Sequence, residues 1–225
     1  MWKEACRSST KGECAHQSPI LQRRVSRISA RASRSRGQSV LRRISGRSSA
    51  VIAADSLTTF GTTRLGPGYD RYPHKVVSYG DSFLGVAGSA AHQLVIENLL
   101  SRTPNLNFHG KAAIYDTFRK LHPVLKDEAF LNPKEEEDDP YESSQMTLMI
   151  ANPSGIFAVY SMREVFEFDR FWAIGSGRDF ALGAMYSVYE NSTSPAAVAV
   201  AGVLAGAEFD TGTALPIHHH EVRLK

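Results

Sequence analysis

Six side chains or backbone positions in this 225-residue chain are of types that could cooperate in chemistry on a carbonyl group. Asp55 closes the run Val51-Ile52-Ala53-Ala54-Asp55-Ser56, and Lys75 opens Lys75-Val76-Val77. Gly88 lies in Val86-Ala87-Gly88-Ser89-Ala90-Ala91, and Ser176 in Ala173-Ile174-Gly175-Ser176-Gly177. Asp210 and Thr213 fall in Asp210-Thr211-Gly212-Thr213. Such a set offers hydroxyls, carboxylates, an amine and a glycine N–H at a helix start. A hydroxyl attacks an acyl carbon near neutral pH only with a base nearby. An N–H at a helix start can stabilise the oxyanion that forms. Taken singly, each residue also has a plain reading. Asp55 could end a strand, Lys75 could be a surface lysine, and Gly88 could be a packing requirement. His218-His219-His220 suggests a metal, but adjacent residues of a strand point to opposite faces, so three in a row do not easily bind one ion. The acidic run Glu135-Glu136-Glu137-Asp138-Asp139 reads as a solvated loop.

The elements that would position these residues are short and regular from residue 50 onward. Residues 51–54 form an apolar strand. Residues 75–79 and 82–87 form a strand pair around the Gly80-Asp81 turn. Residues 90–101 have helical spacing, with Ser89 placed to cap them. Residues 111–130 read as an amphipathic helix that Pro123 ends or kinks. A polar loop follows over 132–144. Residues 145–151 and 156–161 form a hairpin around Asn152-Pro153-Ser154-Gly155, whose residues favour a tight turn. Residues 171–175 read as another strand, 178–190 and 195–208 as helices, and 217–224 as a closing strand. Periodicity alone implies one domain of mixed α and β structure.

Charge divides the chain. Residues 1–50 hold 12 Lys and Arg against 2 Asp and Glu, whereas residues 51–225 hold 14 against 21. The expected organisation is therefore a basic, Arg- and Ser-rich tail over 1–49, ahead of an acidic globular domain over 50–225. The tail has the composition of a disordered segment, of a transit peptide, of a nucleic-acid-binding arm, or of a shifted reading frame or wrong start. No aromatic residues interleave its arginines to stack on bases, which argues against nucleic acid as a partner. Both cysteines, Cys6 and Cys14, fall in the tail, so the domain carries no disulfide framework and no thiolate metal site. The longest small-apolar run, 196–207, is about 12 residues against the ~20 a membrane span needs. A membrane is accordingly not an expected partner.

In their order and approximate spacing, the runs quoted above resemble the β-type subunits of the proteasome and their bacterial relatives, including the HslV-type peptidase subunit. The resemblance covers about residues 50–225. It implies an α+β fold, a four-layer αββα sandwich of two stacked antiparallel sheets flanked by helices. It also implies an N-terminal-nucleophile hydrolase, a threonine-type endopeptidase without cofactor. Such subunits assemble with identical copies into stacked rings and cut peptides or unfolded protein inside the chamber, in some cases fed by an ATP-dependent unfoldase. The expected location is cytoplasmic.

The resemblance also assigns roles. The base is the free α-amine of the nucleophile itself. Lys75 favours anion formation, with Arg71 as a possible substitute, and Asp55 holds the lysine. Gly88 supplies the oxyanion N–H, and Ser176 sits near the reaction centre. Asp210 and Thr213 orient the nucleophile, with Glu208 as the alternative carboxylate. The nucleophile stands 16 residues before the aspartate, which is Ser39 here rather than threonine. There is no threonine between Thr10 and Thr58. The run after it, Val40-Leu41-Arg42-Arg43-Ile44, is a poor copy of an apolar first strand, because two arginines are costly to bury unpaired. A catalytically silent structural subunit of the same fold is therefore the competing expectation.

Overall fold

The structure, a computed structural model, describes residues 49–134, 137–192 and 194–225. Ser39, Cys6, Cys14, Glu135 and Glu136 lie outside the described residues. The described chain falls within one unit, Ser45–Lys225.

Strand β1 (Ser49–Ala54) is built of small and branched residues and buries two alternate ones, Ala50 and Ile52. The short hairpin of β2 (Thr58–Phe60) and β3 (Thr63–Leu65) follows, turning at Gly61 with φ +59°. Strands β4 (Val76–Tyr79) and β5 (Ser82–Ala87) pair around Gly80, whose φ of +58° is a conformation glycine adopts without penalty. Helix α1 (Ala90–Arg102) starts where the Ser89 hydroxyl accepts the Ala91 N–H at 3.3 Å. Helix α2 (Lys111–Asp127) continues past Pro123 rather than ending there. Pro123 is on the solvent side, where water can satisfy the carbonyl it leaves unpaired, while Leu121, His122 and Leu125 stay buried on the other face.

Strands β6 (Thr147–Asn152) and β7 (Gly155–Val159) form the expected hairpin. Its turn is fastened by Asn152, whose side-chain oxygen accepts the Ser154 N–H at 2.8 Å and the Ser154 hydroxyl at 2.6 Å. The Asn152 amide also donates to the Phe108 carbonyl. The next strand is β8 (Val165–Phe168), in place of the one expected over 171–175. β8 pairs with β7, Val159 opposite Val165 and Ile156 opposite Phe168. The chain then turns, and Trp172 stacks on Phe168 with its indole N–H donated to the Tyr160 hydroxyl. Residues 171–174 therefore run without a ladder partner among the described residues. Helices α3 (Arg178–Tyr189) and α4 (Pro195–Phe209) precede strand β9 (His218–Arg223), which pairs antiparallel with β1.

Four layers result. Helices α1 and α2 cover one face of the five-stranded sheet, ordered β4-β5-β6-β7-β8, through Leu84, Ile96, Ile114, Phe118, Leu148, Ile150 and Phe157. Side chains of the opposite parity on the same strands, Phe83, Met149, Ala151 and Ile156, pack against Ala50 and Ile52 of the β1–β9 sheet. Helix α4 covers the far side of that sheet, and α3 packs on α4. The α3–α4 approach is close because a Cβ at Gly202 would stand 3.0 Å from the Met185 side chain. This is the α+β four-layer sandwich. Phe157 is completely buried between helices and sheet. Phe157→Ala is expected to cost about 3–5 kcal/mol, read as a lower denaturant midpoint.

Candidate active site

β1 ends at Ala54, opposite His218 of β9, and the next residue turns its carboxylate back toward the protein. Asp55 is held on both oxygens. Oδ2 accepts the N–H of Leu57 at 2.9 Å and of Ala214 at 3.2 Å, and Oδ1 accepts the Lys75 ammonium at 2.7 Å. Both side chains are largely covered, 13% and 26% exposed. A charge-assisted bond in such surroundings holds more firmly than a surface pair. The adjoining Ser56 is buried. Its N–H donates to the Ala214 carbonyl, and its hydroxyl to that of Pro216, so residues 55–57 are stitched to the segment after α4.

Asp210 stands at the C-cap of α4. Its Oδ2 accepts the Ser176 hydroxyl at 2.7 Å and the Thr213 hydroxyl at 2.6 Å. Partial burial pushes the Asp210 carboxyl up, but those two hydroxyls, the Gly212 N–H and the Lys75 charge together hold it below the ordinary value of 3.8. The folded state thus favours the ionised form. That contribution to stability is present above the ordinary value and lost as pH falls through the lowered one.

The two carboxylates belong to one site. Adjacent residues bind them, Thr213 holding Asp210 and Ala214 holding Asp55. Gly175, with φ +93°, comes within 4.0 Å of the Ala87 methyl where its own Cβ would be, bringing the 175–177 turn beside the end of β5. Gly88 follows directly, at φ +132°. The structure thus brings together Asp55, Lys75, Ser176, Asp210, Thr213 and the Gly88 turn. Arg71 lies instead over the Tyr72 ring, and Glu208 is exposed on α4.

Two further residues shape the site without any sequence signal beyond a glycine flanking a hydroxyl residue. A Cβ at Gly212 would lie 2.8 Å from the Ser176 Oγ. One at Gly177 would lie 2.9 Å from the Thr213 Oγ1 and 3.2 Å from the Gly206 backbone. Backbone cannot swing away as a side-chain end can. Gly177→Ala is therefore expected to destabilise the fold by roughly 1–3 kcal/mol, as overpacking does, and to detach Thr213 from Asp210. Thermal denaturation and the Thr213 hydroxyl resonance would report the two effects.

The histidines of β9 alternate, His218 and His220 on one side and His219 on the exposed other. His218 meets His74 edge to face at 4.2 Å, and His220 stacks on Phe83 at 4.6 Å. Among the described residues no group of three or more His, Cys, Asp or Glu is placed to hold a metal ion. Burial, then the neighbouring His219, His74 and His218, push the His220 pKa below the ordinary 6.5. Its neutral form is favoured in the fold, so stability is complete above 6.5 and is lost as pH falls below it. A lower denaturation midpoint at pH 5.5 than at pH 7.5 is expected, with the difference reduced by His220→Phe.

No helix among the described residues is long and apolar enough to cross a membrane. No protein-family model matches the sequence, and no curated protein matches it. Solved structures do. Thiobacillus denitrificans BPH, a bacterial proteasome homologue, is 36% identical, with 80% of this chain and 96% of that chain covered at a TM-score of 0.74. The same protein in complex with epoxomicin is 36% identical, with 78% and 93% covered at 0.73. Eukaryotic HslV from Trypanosoma brucei, at 16% identity, 78% and 94% coverage and a TM-score of 0.56, shares the fold.

Proposed function

The chain belongs to the family of bacterial proteasome homologues, with the proteasome β-type, HslV-like fold, and from that premise we propose that it is a peptidase subunit working in a ring assembly. The observation that carries the proposal is the Asp55–Lys75 pair joined through Thr213 and Ala214 to the Asp210–Ser176 network. In this reading the first residue of the mature chain supplies a hydroxyl, and its own α-amine, of ordinary pKa near 7.7–8.0, takes the hydroxyl proton. The Lys75 ammonium favours the resulting oxyanion of the nucleophile. Asp55 fixes the ammonium, so it is already in position when charge develops. Asp210, an acceptor with its orientation set by Ser176 and Thr213, aligns the amine. The Gly88 N–H receives the oxyanion of the tetrahedral intermediate, whose collapse expels the amine half of the peptide as its nitrogen takes the proton from the α-ammonium. Water then hydrolyses the ester and regenerates the hydroxyl.

The nucleophile in this proposal is residue 39, and a serine there works only as the first residue. A silent structural subunit is favoured by one observation, the absence of threonine between Thr10 and Thr58. The two readings separate by intact mass and N-terminal sequence of protein made from its own genome, before and after treatment with epoxomicin. A chain beginning at residue 39 and carrying the adduct on that residue is the expected result. A chain with its first 38 residues retained and no adduct is the silent subunit. Assembly is tested separately. The protein is expected to sediment as a ring of identical subunits, and a clean monomer at micromolar concentration overturns the ring. The segment 1–49 as a separate tail, an ATP-dependent unfoldase as a partner and a cytoplasmic location belong to the same proposal.

A further inference from the structure

We propose that His92 is a positioning residue for the oxyanion donor, its imidazole bracing Gly88 so that the Gly88 N–H keeps a single direction. The inference rests on the peptidase reading of this site. Gly88 is the residue after the last ladder position of β5, so strand hydrogen bonds no longer fix its peptide plane. Its φ of +132° lies where side chains rarely go, and a glycine there is free to move unless something holds it. What stands against it is the His92 ring. A Cβ on Gly88 would lie 3.0 Å from His92 Nδ1 and 3.7 Å from Cε1, with the Gln145 carbonyl oxygen 3.8 Å away on the same volume. The ring reaches this place from the first turn of α1, where the His92 N–H donates to the Ser89 carbonyl.

His92 Nδ1 is buried and has no hydrogen-bond partner among the described residues. No hydrogen bond at Nδ1 therefore ties the ring elsewhere among the described residues, although an unpaired buried nitrogen is unfavourable. Burial also lowers its pKa, and no charged group among the described residues contributes to that shift. Burial thus favours the neutral ring, which stands beside Gly88 where a Cβ would be. A hydrogen bond that strengthens only as the oxyanion forms raises kcat rather than substrate affinity. A brace on that donor should do the same.

Two measurements test this. In the full-length chain, with glycine labelled with nitrogen-15, the Gly88 amide is expected to give one sharp resonance. His92→Ala should broaden or split it, and His92→Phe, which restores ring volume without the nitrogen, should return it to one. In protein beginning with threonine at position 39 and an apolar strand after it, His92→Ala should lower kcat about ten-fold, less than the roughly 10²–10³-fold loss on removing an oxyanion donor. KM should stay within about two-fold, and His92→Phe should recover most of kcat. An unchanged Gly88 resonance in His92→Ala overturns the brace. So does a loss confined to KM, or recovery by His92→Asn but not by His92→Phe. If the threonine-started protein with native His92 hydrolyses nothing, the peptidase reading falls, and the amide resonance alone decides whether His92 braces Gly88.

Discussion

Full-length protein is expected to hydrolyse no peptide, and the same domain beginning with threonine at position 39, followed by an apolar strand, is expected to hydrolyse peptides readily. The physical reason is the nitrogen. Held in a peptide bond, the nitrogen of residue 39 is an amide whose lone pair is delocalised into the carbonyl, so it cannot accept the hydroxyl proton. Freed, it is an amine with a pKa close to working pH, the condition under which general-base assistance is most effective. Such assistance is worth roughly 10²–10⁴-fold. Asp210 does not substitute for it, since its carboxyl is held below the ordinary value and it already accepts two hydroxyls. The measurement is release of a fluorophore from a peptide substrate by both forms at equal subunit concentration. Turnover by protein that retains residues 1–38 would sink the mechanism.

The second large effect concerns Lys75. In the threonine-started protein, Lys75→Ala is expected to lower hydrolysis by roughly 10²–10⁴-fold, the scale of a lost acid–base contribution, while assembly stays intact. Removing the ammonium takes away the only cation bonded to Asp55 among the described residues and the positive charge that acts on Asp210. Asp55 retains its bonds to the Leu57 and Ala214 N–H groups, so the turn after β1 stays closed. Turnover and sedimentation measured on one preparation separate the outcomes. Full activity would exclude Lys75 from the reaction, and loss of the ring together with activity would make its role structural.

Much of the fold was legible along the chain. The β4–β5 and β6–β7 hairpins follow from Gly80-Asp81 and from Asn152-Pro153-Ser154-Gly155, because turn residues act on their own neighbours. Ser89 marks the start of α1 for the same reason. The misplaced strand after β7 shows the limit. Residues 171–175 carry a strand-like pattern, yet Val165–Phe168 takes the sheet edge, since a strand exists only where another strand accepts its hydrogen bonds. The helix through Pro123 is a similar case, with apolar burial on its inner face outweighing one missing backbone bond.

The site divides along the same line. The identities of Asp55, Lys75, Gly88, Ser176, Asp210 and Thr213, and the lack of a threonine 16 residues before Asp55, are facts of residue order and were readable as such. Whether Lys75 or Arg71 meets Asp55, and whether Asp210 or Glu208 meets Ser176, depends on distances between segments that are not neighbours in the chain, 20 residues apart for Lys75 and Asp55 and 34 for Ser176 and Asp210. Local pattern carries no information about those distances. They are set by how β1 pairs with β9 and how α4 ends, which places Thr213 and Ala214 between the two carboxylates. Gly177, Gly212 and His92 came into view only there, because their importance lies in what a methyl group would strike or a ring would support, and that is a property of packed neighbours.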